Sequence, residues 1–148
     1  MTELMHAASF LSLARRKMRS GNYSRVPMRL LRLEWMGTIV NCDWVMRPGD
    51  PWDRFIPRRS AAQQRSLQAL QDALSVRDLV FTAFPEVSDA NLRVFSEDAG
   101  RNLQLMMTGT VNRRNEVLRR VPSVAMRAKL CGFRFSLVDG VLETLHAA

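Results

Sequence analysis

Three aspartates and all three tryptophans of the chain crowd one stretch: Asp43, Asp50 and Asp53 interleave with Trp44 and Trp52, and Trp35 precedes them. A carboxylate held against an indole loses hydration, its pKa rises, and it becomes a proton donor near neutral pH. Two such carboxylates could instead hold a magnesium ion through oxygen ligands. A plainer role is local. Asp50 before Pro51, and Asp53 soon after, suit a loop in which aspartates bond nearby amides, while tryptophans anchor a core. The plainer role is favoured, and the catalytic one is kept as the alternative.

Other chemistries lack their parts. The two histidines, His6 and His146, lie near the ends of the sequence, poor positions for a general base or a metal ligand. With Cys42 and Cys131 far apart, a structural zinc site and a cysteine–histidine pair are both short of residues. No glycine-rich phosphate loop follows a predicted strand. No metal and no cofactor are therefore expected. Each cysteine sits in a patterned segment, Cys42 in phase with Val40 and Trp44, and reads as a buried thiol in a reducing compartment, so a cytoplasmic location is expected.

Basic residues form two clusters. Arg47, Trp52, Arg54, Phe55, Arg58 and Arg59 interleave cations with aromatic rings, a composition that suits phosphates and stacked bases. Arg113, Arg114, Arg119 and Arg120 precede Pro122 and would attract a polyanion from an exposed loop. The competing role for both is a solvated connection. The formal net charge is +8, carried by 22 basic and 14 acidic residues. All but two of the basic residues are arginine. A GC-rich coding sequence supplies arginine readily, although the guanidinium fork also matches phosphate and carboxylate. By segment the net charge is +6 over 1–60, −3 over 61–100 and +5 over 101–148, so some of it is expected to be neutralised within the fold.

The elements that must position these residues follow from periodicity. Residues 3–19 read as a helix within an N-terminal extension, 1–27, that is expected to be loosely attached to a domain spanning 28–148. Leu31, Leu33 and Trp35, then Val40, Cys42 and Trp44, alternate with polar residues around Gly37, so 29–46 predicts a hairpin. Ser60 and Gln63 have capping-box spacing, and Leu67, Leu70, Leu74, Phe81 and Phe84 then share one helical face interrupted by Arg77. Pro85 ends that helix. A second hairpin turns at Asp98-Ala99-Gly100. A short helix opens at Pro122-Ser123 and closes at Gly132, and a third hairpin turns at Asp139-Gly140.

The expected fold is α+β: an antiparallel sheet of about six strands with two helices on one face, plus the N-terminal helix. No apolar run reaches the roughly 18 residues of a membrane span. The preferred function is a non-enzymatic binding or adaptor protein, with an acidic protein partner or nucleic acid held by Arg47, Trp52, Arg54, Arg58, Arg59, Arg113, Arg114, Arg119 and Arg120 on one shared face. The alternatives are a small enzyme built on Asp43, Asp50 or Asp53, and a subunit of a larger assembly. Self-association stays open.

Overall fold

The alternating stretch 29–46 forms the hairpin that its pattern predicts. β1 (Arg29–Met36) and β2 (Ile39–Val45) pair antiparallel around Gly37, whose φ of +62° is one that glycine adopts without strain. In this computed structural model, residues 2–18, 26, 28–49, 54–114 and 120–145 are described. α1 (Thr2–Lys17) precedes the hairpin. Phe10 and Met18 lie in the main core cluster, so these two residues of the expected extension are part of the packed body. The boundary between 1–27 and 28–148 falls largely on residues 19–25 and 27, outside the described residues.

α2 (Arg58–Ala83) is 26 residues long, about 39 Å at the helical rise. It carries the chain back along the sheet, so β3 (Asp89–Glu97) enters beside β2 in parallel. The expectation of an antiparallel sheet therefore holds for every pair except β2–β3, where a long helical crossover replaces a turn. β4 (Leu103–Asn112), β5 (Phe133–Val138) and β6 (Val141–Glu143) continue antiparallel in the order β1-β2-β3-β4-β5-β6. α3 (Val124–Cys131) lies between β4 and β5.

The expected capping box at the start of α2 does not form. The helix begins at Arg58 after Pro57, without a side-chain cap, and Gln63 instead donates to the Asp139 carbonyl in the β5–β6 turn at 2.7 Å. α3 starts and stops as its residues predict. The Ser123 hydroxyl accepts from the Met126 amide, and Gly132 takes a left-handed φ of 113° as the C-cap. Asp139 and Gly140 adopt φ of 52° and 78°, the signs required by the hairpin turn expected there.

Period two divides the sheet into two faces. Val40, Cys42 and Trp44 on β2, and Ala90, Leu92 and Val94 on β3, are fully or almost fully buried in one cluster. Residues of α1, α2 and α3 belong to the same cluster. The interleaved positions on these strands are polar, and they form the other face. No helix among the described residues is long and apolar enough to cross a membrane.

Candidate functional site

The polar face is organised by strand register into two rows. In the first, Arg32 stands opposite Asp43, Asp43 beside Arg93, Arg93 opposite Thr108 and Thr108 opposite Arg134, one residue from each of β1 to β5. In the second, Glu34, Asn41, Asn91 and Thr110 follow one another across β1 to β4. Directly opposed residues share a face with their Cβ atoms about 5 Å apart, so pairing alone makes each row a connected polar surface. Eight of these side chains, all except Glu34, line a depression of about 460 Å³.

Hydrogen bonds fix most of the floor. Asp43 is 5% exposed and accepts from Arg93 Nε at 2.9 Å and Nη2 at 2.5 Å, a two-point carboxylate–guanidinium pair. Bonding to Asp43 raises the Arg93 pKa further, outweighing the opposing effect of burial. Arg32 lies 3.8 Å from the same carboxylate and donates to Glu34 at 2.9 Å. Asn91 donates to the Asn41 side-chain oxygen at 2.9 Å and accepts from the Thr110 hydroxyl at 2.7 Å. Among the described residues, none accepts a hydrogen bond from the Arg134 guanidinium. The floor therefore carries three guanidiniums, one deeply held carboxylate and a fringe of amides and hydroxyls. Such a surface can hold carboxylates or phosphates.

A glycine contact positions Arg134. A Cβ on Gly109 would come within 2.6 Å of the Gly132 carbonyl oxygen, and one on Gly132 within 2.6 Å of the Thr110 carbonyl oxygen. Bare backbone at both positions lets the α3–β5 junction press onto β4, which sets Arg134 opposite Thr108.

The residues singled out from sequence are scattered. Arg47 is buried, with Nε 2.7 Å from Asp72 Oδ2, and it donates to the carbonyls of Met18 at 2.6 Å and Val26 at 2.9 Å. Burial raises the Asp72 pKa, against the lowering effects of Arg47 and Gln68. Arg113 donates to the carbonyls of Phe81, Phe84, Pro85 and Val87, so its guanidinium occupies acceptors left over at the C-terminal end of α2. Arg54 sits over the Phe55 ring at 4.8 Å. Arg58 and Arg59 are exposed at the N-terminal end of α2, with Arg59 3.4 Å from Asp139. Arg114 and Arg120 are exposed. Trp52, Arg119, Asp50, Asp53 and His146 lie outside the described residues. Arg54, Arg58 and Arg59 stand at one end of α2 and Arg113 at the other, separated by the length of the helix.

The structure also separates Asp43 from Trp35 and Trp44. Asp43 and Trp44 are adjacent in β2 and so point to opposite sides of the sheet, and Trp35 lies on the Trp44 side, with its ring 5.0 Å from His6 and 5.6 Å from Phe84. Asp43 is bordered by arginines instead. Another depression, of about 650 Å³, lies where β2 exits toward residue 49, between the first turns of α2 and β6, with Arg29 and Glu97 ion-paired on its wall.

Sequence reasoning did not select Arg32, Asn41, Asn91, Arg93, Thr108, Thr110 or Arg134. Their signal was the polar phase of the same alternation that marked the strands. In comparisons with known proteins, no family model, no curated protein and no solved structure matches this chain.

Proposed function

We infer that the protein is a non-enzymatic binding module whose open polar sheet face receives an acidic segment of a partner protein. The observation that carries this reading is Arg134, exposed and without an acceptor among the described residues, in register with Arg93 and Arg32 along one row. A guanidinium beside a preformed polar floor binds carboxylates by paired N–H donors. Thr108, Thr110, Asn41 and Asn91 add donors and acceptors for a peptide backbone. A protein segment is favoured over nucleic acid because the row contains no aromatic residue on which bases would stack.

An oligoglutamate peptide titrated by fluorescence anisotropy at low ionic strength tests the reading. The wild-type chain binds it, added salt weakens the complex, and Arg134→Glu lowers affinity about tenfold, roughly 1.4 kcal/mol. Arg58→Glu, at the start of α2 and outside the rows, leaves it unchanged. An Arg134→Glu variant that binds as tightly as wild type overturns the assignment, as does tighter binding of oligodeoxythymidine than of oligoglutamate.

A further inference from the structure

β1 and β6 are the two edges of the sheet, and they differ in length: β1 has eight residues and β6 three. A long edge presents a row of backbone donors and acceptors to which another strand can add. Among the described residues, no other element hydrogen-bonds to the outer side of β1. A bulge interrupts β1 between Leu30 and Arg32, and beyond it residues 32–36 pair without a break with 39–43. Met36 opposes Ile39 across a two-residue turn, so these two exchange both backbone bonds. Alternation then turns the N–H and C=O of Arg32 and Glu34 toward β2, and those of Leu33 and Trp35 outward.

The side chains on this edge complement themselves. When a second β1 pairs antiparallel about Leu33, the two Leu33 residues exchange backbone bonds. Arg32 of each copy then stands opposite Glu34 of the other. Both side chains lie on the polar face and are accessible, at 44% and 43%. Opposite charges facing each other across a strand pair stabilise it, and like charges do the reverse. Neighbouring registers lose this match: pairing about Glu34 sets two glutamates together, pairing about Arg32 sets two arginines together, and pairing about Trp35 leaves both charges facing uncharged residues. We propose that β1 is a self-association surface, joining two copies of the chain edge to edge in the Leu33-centred register as a symmetric dimer. Leu31 and Met36, 39% and 55% exposed, lie along the same seam and lose water with it. The two polar faces then become one, because the row that ends at Arg32 in one copy continues into the Glu34 row of the other. The dimer does not depend on the acidic-segment reading, since no ligand takes part in it.

Sedimentation velocity of the full chain over a concentration series tests this. About 0.15 M salt is used, where a Debye length of about 8 Å screens the repulsion between two copies of net charge +8. The wild type is expected to show a monomer–dimer equilibrium. Arg32→Glu or Glu34→Arg alone weakens it about tenfold, because each puts like charges opposite one another twice in the symmetric pair. Mixing the two single variants restores dimers, since one chain then offers two acids where the other offers two bases. A substitution that only disturbed the fold would not be rescued by mixing. Should either variant fail to fold, hydrogen exchange of the wild type decides: the outward Leu33 amide is expected to exchange more slowly as concentration rises. A wild type that sediments as a monomer throughout, folded variants that stay monomeric when mixed, or a Leu33 amide indifferent to concentration overturns the proposal.

Discussion

At Arg47 a guanidinium has left solvent and been surrounded by acceptors: the Asp72 carboxylate and two backbone carbonyls. Breaking a buried pair from one side leaves the other charge uncompensated. Arg47→Ala is therefore expected to lower unfolding free energy by about 3–5 kcal/mol in urea denaturation. Arg47→Ala combined with Asp72→Ala should cost less than the two single losses added together, because the second substitution removes the stranded charge. Cys42 follows a different logic. Burial, and then the neighbouring Asp43, push its thiol up from 9.0 to about 12. A folded-state pKa raised above the unfolded one means that the folded form holds its proton longer. Its contribution to stability is thus complete below pH 9 and is lost as pH rises toward about 12. Cys42→Ala should flatten that part of the stability–pH curve, and native Cys42 should resist alkylation near pH 9. A wild-type curve already flat across this window would contradict the assignment.

Among the elements, α2 depends on side chains far from it in sequence. Its N-terminal end begins at Arg58 and Arg59, cations at the end where the helix dipole is positive. Its C-terminal end is closed by Arg113, which reaches the carbonyls of Phe81 and Phe84 from the far end of β4. Arg113→Ala should lower stability by about 0.5–1.5 kcal/mol, the usual net worth of hydrogen bonds to part-buried carbonyls. Hydrogen exchange should locate the loss in the last turn of α2 rather than in β1 or β2. Uniform exchange throughout the molecule would show that Arg113 is not a local cap. The same elements show what the sequence made legible. Gly37, Ser123, Gly132 and the Asp139-Gly140 pair each specify a conformation that a neighbouring residue cannot substitute for, so the first and third hairpins and α3 were readable in place. Ser60 and Gln63 had the right spacing, but α2 already begins at Arg58, ahead of Ser60, and Gln63 donates to the Asp139 carbonyl, a contact across the sequence that no local pattern encodes. The parallel β2–β3 pair was likewise hidden, because alternation identifies a strand and says nothing of its neighbour's direction. The site was legible only in part. Arg32 and Asp43 were visible as polar positions in alternating strands, but placing Arg93 and Arg134 beside them takes the register of five strands. Asp43 and Trp44 were grouped as chemical neighbours on sequence adjacency, and the pleat puts them on opposite faces.

Over the whole molecule, a net charge of +8 is divided among arginines used in different ways. Arg47 and Arg113 hold the fold together, Arg93 is bound to Asp43, and Arg134 has no acceptor among the described residues. Under the proposed function, the excess positive charge outside such pairs would steer acidic molecules toward the protein, and register would decide where one is held. The candidate site uses the polar, open face of the sheet, while the other face is packed into the core that α1, α2 and α3 share. The most direct test of the central claim is nuclear magnetic resonance mapping of the isotopically labelled chain during titration with oligoglutamate. The account predicts that the largest shifts fall on the Arg93, Thr108, Thr110 and Arg134 backbone amides and on the Arg134 side-chain Nε–H. Shifts concentrated instead on Arg54, Arg58 and Arg59, or on Arg114 and Arg120, with the sheet-face resonances unmoved, would contradict it.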